Sequence, residues 1–185
     1  LELLKDDPEL YVRRSVANNL NDIGKDNPDV LFEVAGKWMQ DAGPERKWLV
    51  RHALRFAVKQ AEPRALEILG YASKPDVAIE SVKIHPKKPR IGERLELSFQ
   101  LVNNSATTQN ILADLKVHFI KANGESKSKV FKLKELQLKP GETVRLGKTI
   151  WLKQMTTRKH YPGEHRMEAM LNGTGVELGM FVLRG

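Results

Sequence analysis

The sequence contains no cysteine among its 185 residues. Neither a disulfide framework nor a thiolate metal site is therefore available to it. It also has no apolar run of transmembrane length and nothing that resembles a signal peptide. A cytoplasmic protein is the simplest interpretation of these absences. The chain begins at Leu1, within a helical pattern and without Met, which suggests a piece of something longer.

Recognised catalytic and cofactor motifs are absent as well. The sequence has no nucleophile elbow, no phosphate-binding glycine loop, no dinucleotide fingerprint and no histidine-rich metal spacing. The five histidines are scattered, and none has a second ligand at a useful spacing. Asp22 and Asp26 are candidates for a general base, but roles at a helix end explain both equally well. The residues alone therefore favour binding as the function.

Acidic residues are scarce in the second half of the chain. Residues 1–76 include 12 basic and 13 acidic side chains, whereas residues 77–185 include 19 basic and 10 acidic ones. The whole positive excess therefore lies in the second half. This asymmetry predicts two domains and an acidic partner for the second one. The alternative is a lysine-rich surface that serves solubility alone.

Two stretches some forty residues apart resemble each other. The run YVRRSVANNL (11–20) aligns with LVRHALRFAV (49–58) at an offset of 38, so that Arg13 meets Arg51 and Arg14 meets His52. Prolines 8, 28, 44 and 63 open four predicted helices, and they recur at spacings of 36 and 35. Such an interval is typical of an α-solenoid, in which each helix pair buries its apolar face by stacking on a neighbour. Chance similarity between two amphipathic helices is the alternative.

The four helices have predicted bounds and inward faces. The first begins at Asp7-Pro8 and is ended by Gly24 and the Lys25-Asp26-Asn27 run, and the third runs unbroken through Val58. The fourth is short and is closed by Gly70. Four helices form only two repeats, so we expect the end of an array whose earlier repeats are missing or reduced.

The periodicity changes from helical to alternating at residues 71–75. Leu95, Leu97, Phe99 and Leu101 alternate with polar residues, which predicts a half-buried strand. Seven strands are predicted at about 77–84, 94–103, 111–120, 127–138, 143–153, 164–172 and 176–183. This pattern predicts an α + β chain of two domains, with helical repeats at 1–75 and an immunoglobulin-like antiparallel β-sandwich at 76–185. A small barrel is the alternative for the second domain.

Residues 1 to about 72 carry a family resemblance. The runs DDPELYVRRSVANNLNDIGKDNPDV and WLVRHALRFAVKQAEPRALEILG resemble the C-terminal helical repeats of bacterial HEAT-like alkylpurine DNA glycosylases. The similarity is greatest to the AlkC branch of these DNA-alkylation-repair proteins. That branch often has a C-terminal immunoglobulin-like domain, which agrees with the predicted sandwich.

The resemblance implies an activity and a partner. It implies hydrolysis of the N-glycosidic bond of a cationic alkylated base such as 3-methyladenine, without a metal or an organic cofactor. A carboxylate beside the sugar would stabilise the developing oxocarbenium ion. Members bind and bend double-stranded DNA without depending on base flipping. Their catalytic acidic residues and tryptophan lie in motifs upstream of YVRRSVANNL, and this chain has no match to those motifs, so no catalytic residue is assigned.

The protein is expected to bind DNA as a monomer. Two sets of its residues are predicted to contact the DNA. Arg13, Arg14, Arg51 and Arg55 are expected to contact phosphates, since a solenoid would align them along one surface. Strand alternation sorts the sandwich loops to two ends, and the end near Pro75 offers small polar groups for the minor groove. Those groups include Asn104, Thr107, Gln109 and Asn172. The lysines of the opposite end, which include Lys87, Lys121, Lys127 and Lys129 with Arg158 and Lys159, are expected to attract DNA at longer range.

Three functions are compatible with these observations. The first is the C-terminal part of a DNA glycosylase, the second a DNA-binding relative without catalysis, and the third a protein-binding scaffold. The acidic motif of the family in an upstream sequence would separate the first from the second. A steep salt dependence of duplex binding would argue against the third.

Overall fold

The computed structural model describes residues 1–156 and 159–185. Those residues form two compact units, Leu1–Ser73 and Lys74–Gly185, so the division falls two residues before the expected boundary. The first unit is helical and the second is built of strands. Among the described residues, no helix is long and apolar enough to cross a membrane.

Five α-helices and a short 3-10 helix (Glu2–Leu4) form the first unit. The α-helices are α1 Leu10–Asp26, α2 Pro28–Met39, α3 Pro44–Ala53, α4 Arg55–Lys59 and α5 Pro63–Ile68. Proline occupies the first turn of α2, α3 and α5, where its missing N–H has no intrahelical partner to lose. Helix α1 packs against α2 and α3, and α2 also packs against α5. Their shared core includes Val16, Leu20, Leu31, Trp38, Leu49 and Ala53.

The start of α1 differs from the prediction. The helix begins at Leu10 and not at Pro8, with Glu9 as its N-terminal flanking residue. The Asp7 carboxylate accepts a hydrogen bond from the Glu9 N–H at 2.9 Å, so it closes the turn that leads into the helix. The preceding segment is anchored to α2, because Trp38 Nε1 donates to the Glu2 carboxylate at 2.6 Å.

Helix α1 ends at Asp26, within the predicted Lys25-Asp26-Asn27 run, but Gly24 lies inside the helix and does not end it. A Cβ atom built at Gly24 would meet Cδ2 of Leu31 and would lie 2.8 Å from its Cβ. Glycine is therefore needed here for the close approach of α1 to α2. A pattern along one helix does not contain this requirement, since it comes from the neighbouring helix.

Among its described residues, the second unit is formed by seven strands, as predicted. They are β1 Ala78–His85, β2 Arg94–Val102, β3 Gln109–Ile120, β4 Ser126–Leu138, β5 Thr143–Trp151, β6 Gly163–Leu171 and β7 Thr174–Leu183. The strands form two antiparallel sheets, ordered β1-β2-β5 and β4-β3-β6-β7. Because the described strands belong to two separate sheets, the barrel alternative is wrong.

The apolar faces of both sheets supply one core. On β2, Leu95, Leu97, Phe99 and Leu101 are all buried, which confirms the predicted alternation. The facing sheet contributes Leu115 and Val117 from β3 and Met167, Ala169 and Phe181 from β6 and β7. The turn between β6 and β7 has positive φ at Asn172 (48°) and Gly173 (83°), as a two-residue hairpin loop requires.

A buried histidine closes one end of this core. His165 stacks on Phe181 with ring centroids 4.9 Å apart. Its Nδ1 accepts the Ile120 N–H at 3.2 Å, and its Nε2 lies 3.1 Å from the Tyr161 carbonyl oxygen. Since Nδ1 is an acceptor, Nε2 carries the proton. Burial lowers the pKa of His165 below 6.5, against the opposing influence of the Tyr161 and His118 carbonyls.

Replacing Gly24 by alanine should destabilise the helical unit. The added methyl group would be forced against Leu31, at an expected cost of about 1–3 kcal/mol in the free energy of unfolding. Gly36→Ala in α2 is the control, because a Cβ there meets nothing within 4 Å. That change should instead stabilise by up to about 1 kcal/mol. Thermal unfolding followed by helical circular dichroism measures both, and equal stabilisation by the two changes would contradict the close packing.

Lowering the pH should reduce the stability of the sandwich through protonation of His165. Its pKa is lowered in the folded state, so the unfolded chain binds more protons near pH 6.5. The stability that neutral His165 contributes is fully present above about 6.5 and is lost as the pH falls through the folded pKa. Urea midpoints at several pH values should show this loss in the wild type and a flatter profile in His165→Asn. The exposed His85→Gln serves as the control, and an unchanged profile in His165→Asn would exclude His165 as the cause.

Candidate nucleic-acid interface

Helices α1 and α3 present one continuous polar surface. Arg14 and Asn18 lie one turn apart on α1, which places them on the same face. On α3, the His52 ring stacks on Trp48 with centroids 5.2 Å apart and planes 6° apart. His52 Nε2 donates a hydrogen bond to Asn18 Oδ1 at 3.1 Å. We call Arg14, Asn18, His52 and Arg55 the helical basic surface.

Arg55 reaches this surface because α3 breaks at Leu54. The sequence predicted one unbroken helix, but Leu54 (φ −80°, ψ −1°) ends α3 and precedes the short α4. Asn21 of α1 is 3% exposed, and its Oδ1 accepts the Phe56 N–H at 3.4 Å. Arg55 Nη1 donates to the His52 carbonyl oxygen at 2.6 Å. Asn21 therefore stabilises the break that sets the direction of Arg55.

Asn21 was missed by the sequence interpretation. The available signal was its position one turn after Ala17, which is buried and belongs to the apolar stripe of α1. A short amide at such a position is typical of a residue that satisfies a backbone group of a neighbouring helix. Its Nδ2 also donates to Asp22 Oδ1 at 3.3 Å, which links the buried amide to the exposed carboxylate.

The electrostatics of the helical basic surface favour an anion. Burial lowers the pKa of His52, and the positive charges of Arg55 and Arg14 lower it further. Both arginines therefore contribute positive potential at the same ring. Hydrogen bonds from Lys25 and Asn21 lower the pKa of Asp22, so this carboxylate stays ionised beside the surface. Its partner Lys25 lies 2.7 Å away.

The other two predicted arginines have partners within the protein. Arg13 is half-buried, and its Nη1 donates to the carbonyl oxygens of Asp7 (2.6 Å) and Pro8 (2.8 Å). Arg51 is exposed, and its Nη1 lies 3.5 Å from the Tyr71 hydroxyl. The repeat alignment predicted one surface for all four arginines. The structure bonds Arg55 to the His52 carbonyl and leaves Arg14 exposed on α1, whereas Arg13 and Arg51 contact other groups.

The polar loops of the sandwich are also largely occupied by internal hydrogen bonds. Asn172 is 2% exposed, its Nδ2 donates to the Asn110 carbonyl at 3.0 Å, and its Oδ1 accepts the Leu112 N–H at 2.7 Å. Its assignment to the interface stays a prediction, but its amide is buried and ties the β6–β7 turn to the backbone of β3. Gln109 donates to Thr107 Oγ1 at 3.1 Å and accepts the Asp76 N–H at 3.3 Å. Asn104 is exposed.

The opposite end of the sandwich contains a basic cavity of about 390 Å³. The residues that line it are Phe119, Ile120, Lys121, Lys127, Ser128, Lys129 and Lys159. Four of the lysines predicted for this end therefore meet in one place, whereas Lys87, Lys88 and Arg90 do not line the cavity. Arg158 lies outside the described residues. We call this feature the lysine cavity.

Side chains that could bind a metal ion do not cluster in the described part of the structure. In the described ranges 1–156 and 159–185, no group of three or more histidine or carboxylate side chains is placed to hold a metal ion.

The fold defines a helical unit followed by an immunoglobulin-like sandwich. The sequence pattern of the family described as "Uncharacterised protein YhaZ, C-terminal Ig-like domain" matches residues 78–185, more than half of the chain. The chain therefore belongs to this YhaZ C-terminal family. It is 38% identical to the uncharacterised protein YhaZ of Bacillus subtilis (strain 168) over 173 residues, which are 94% of this chain and 48% of that protein.

Solved structures extend the comparison to the helical unit. The alkylpurine DNA glycosylase AlkC of Pseudomonas fluorescens, bound to DNA containing an abasic site analog, matches with a TM-score of 0.86 and 39% identity. The match covers 100% of this chain and 51% of that one. The chain thus spans about half the length of both relatives. A β-glucosidase from Listeria innocua in complex with glucose matches at a TM-score of 0.51 and 14% identity over 62% of this chain and 17% of its own, which shows the fold alone.

Proposed function

We propose that the chain is the C-terminal, DNA-binding part of a DNA glycosylase that excises cationic alkylated purines such as 3-methyladenine. The observation that carries this proposal is the similarity of the whole chain to AlkC, which was solved with DNA. At 39% identity, the similarity extends beyond a shared fold to the residues themselves. The chain would bind double-stranded DNA as a monomer and would need no cofactor for excision.

The packing of the helices supports HEAT-like repeats in the first unit. Residues 11–20 belong to α1, and residues 49–58, which align with them at an offset of 38, begin in α3. These two helices pack against each other. Helix α2 likewise packs against α5. The prolines in their first turns, Pro28 and Pro63, are the pair that recurs at a spacing of 35. Successive helix pairs that stack in this way would present equivalent residues side by side. Arg14 and His52 are such a pair.

The helical basic surface is the proposed phosphate site of this unit. Arg14 and Arg55 supply the charge, and a guanidinium can bond two phosphate oxygens at once. Trp48, which is 36% exposed, flanks these groups and offers an aromatic face. Because Arg55 is already held by the His52 carbonyl, little side-chain entropy remains to be lost when it binds.

Catalysis is proposed for a longer protein and not assigned to a residue of this chain. In a glycosylase, the carboxylate beside the sugar must stabilise positive charge that develops in the transition state. Asp22 is ionised and lies beside the helical basic surface, but Lys25 and Asn21 already bond to it. Its negative charge is therefore partly neutralised, which suits a residue that shapes the surface better than one that stabilises an oxocarbenium ion.

Removing Arg14 and Arg55 should weaken duplex binding. We expect the variant Arg14→Gln/Arg55→Gln to bind duplex DNA more weakly, with a salt slope shallower by about one unit for each phosphate that is no longer neutralised. Lys37→Gln/Lys59→Gln removes the same charge from exposed positions of the same unit and serves as the control. A further pair, Arg13→Gln/Arg51→Gln, tests the remaining predicted arginines, whose internal partners lead us to expect a smaller effect.

Fluorescence anisotropy with a labelled duplex over a range of salt concentrations measures these effects. If all three pairs show the wild-type slope, the helical basic surface does not bind phosphate. If the wild type shows no salt-dependent binding of duplex DNA, the protein-binding scaffold alternative replaces the proposal, because phosphate contacts release counterions.

The 185-residue chain by itself should not release 3-methyladenine from alkylated DNA above background. The reason is chemical, because the family resemblance places the catalytic carboxylates upstream of residue 11. Chromatography of the released bases measures excision, and Asp22→Asn is the informative variant. Excision that Asp22→Asn abolishes would assign the catalytic carboxylate to α1 and contradict this expectation.

A further inference from the structure

Strand β4 is the edge of the wider sheet, and it turns two lysines toward the core side. In the register of β3 with β4, Phe119 pairs with Lys127 and Val117 pairs with Lys129. Directly paired residues of antiparallel strands point to the same face of the sheet. Val117 is fully buried in the core. Lys127 and Lys129 therefore lie on the inner face of the sheet, and both line the lysine cavity.

Two further lysines reach the same place from other segments. Lys121 follows β3 in the turn to β4, and Lys159 belongs to the connection between β5 and β6. Together with Lys127 and Lys129 they line the lysine cavity, whose described lining residues include no carboxylate. The nearest acid recorded for any of them is Glu125, 4.0 Å from Lys121 Nζ. Four positive charges therefore lie around one concave site. A concave site concentrates the electric field of the charges that line it.

The floor of the cavity is firmly held. The Phe119 ring makes edge contacts with His160 at 5.2 Å and with His165 at 5.7 Å between centroids. The Ile120 N–H is bound by His165. One of the lysines is also oriented, because Lys129 Nζ lies 5.1 Å from the centre of the Phe131 ring. These contacts hold Phe119 and Ile120, two of the residues that line the cavity.

We propose that the lysine cavity binds phosphates of the DNA backbone, as a second contact that rests on the proposed function. The ammonium group is a compact cation with three donors, and it binds phosphate oxygens without demanding one geometry. Binding phosphate there would relieve the mutual repulsion of the four lysines. From the sequence we expect the amide-rich loops near Pro75 to make the close contact with DNA. The proposal reverses this expectation, because Asn172 and Gln109 already form hydrogen bonds within the protein.

Edge protection is the simplest alternative explanation. Inward-pointing charges on an edge strand prevent the sheet from pairing with another molecule. That role accounts for Lys127 and Lys129, which lie on β4 itself. It does not account for Lys121 and Lys159, which lie outside the strand and approach the same cavity. The convergence of three separate segments is what favours a binding site.

The test compares two triple variants of the full chain. Lys121→Gln/Lys127→Gln/Lys129→Gln removes three cavity charges, and Lys83→Gln/Lys134→Gln/Lys139→Gln removes three exposed charges elsewhere on the sandwich. At moderate salt the cavity variant should bind duplex DNA about 10-fold more weakly or worse, with a salt slope shallower by about two to three units. The control variant should be affected much less. Asn104→Ala/Thr107→Ala/Gln109→Ala should leave both quantities unchanged.

Several outcomes would overturn the inference. Equal weakening in the cavity and control variants would show a general charge effect. A cavity variant that aggregates, but whose monomeric fraction binds duplex DNA normally, would support edge protection instead. Inorganic tripolyphosphate identifies the remaining source of phosphate: if it binds the wild type but not the cavity variant, while duplex affinity is the same in both, the ligand is a small polyphosphate.

The failure of this inference can be distinguished from that of the proposed function. If the wild type binds no duplex DNA, both fail. If the wild type binds and Arg14→Gln/Arg55→Gln weakens binding while the cavity variant does not, only the lysine cavity is excluded. Unfolding curves and size-exclusion profiles of every variant confirm that the measured proteins are folded and monomeric.

Discussion

The stacking of α1 against α3 is the interaction on which the helical basic surface depends. The contact buries Val16 and Ala17 of α1 and Leu49 and Ala53 of α3 almost completely. The two alanines have small side chains, which allow the helix backbones to approach closely enough for His52 and Asn18 to share a hydrogen bond. Burial of apolar area stabilises this contact, and the polar groups above it are positioned as a consequence. No single polar interaction on an exposed surface would suffice, because exposed pairs contribute little by themselves.

Much of the fold could be predicted because its signals are local. Alternation along β2 reports that one face is buried, and pairs such as Asn172-Gly173 report backbone angles that few residues adopt. Proline likewise marks the first turn of α2, α3 and α5. The predictions failed where a residue distant in sequence determines the local structure. Gly24 is a helix-ending signal in sequence, but Leu31 of the next helix makes it a packing requirement. The break at Leu54 depends in the same way on Asn21, which is more than thirty residues away.

The candidate site was harder to predict, because residue type does not reveal which polar groups are already bonded. Arg13 and Arg14 are neighbours with the same chemistry, yet Arg13 bonds to the carbonyls before α1 while the charge of Arg14 acts on His52. The loops near Pro75 contain many amides, and the structure bonds Asn172 to the backbone of β3 and Gln109 to Thr107 of its own loop. Strand alternation did place the lysines at one end of the sandwich. It could not indicate a cavity, because the cavity is lined jointly by residues of β3, of β4 and of the connections that follow β3 and β5.

The two units concentrate positive charge by different physical means. Residues 1–76 have nearly balanced charges, so a positive surface there requires that Asp22 be neutralised by Lys25 and that Arg14 and Arg55 be brought together. The sandwich has a large basic excess, and its lysines attract an anion over the distance that salt screening allows, about 10 Å at moderate ionic strength. Arg55 is held by the His52 carbonyl and has a fixed geometry, whereas lysines on flexible stems adapt to a ligand. A chain built this way would gain its rate of association from the sandwich and its orientation from the helices, because steering depends on net charge and alignment depends on fixed donors.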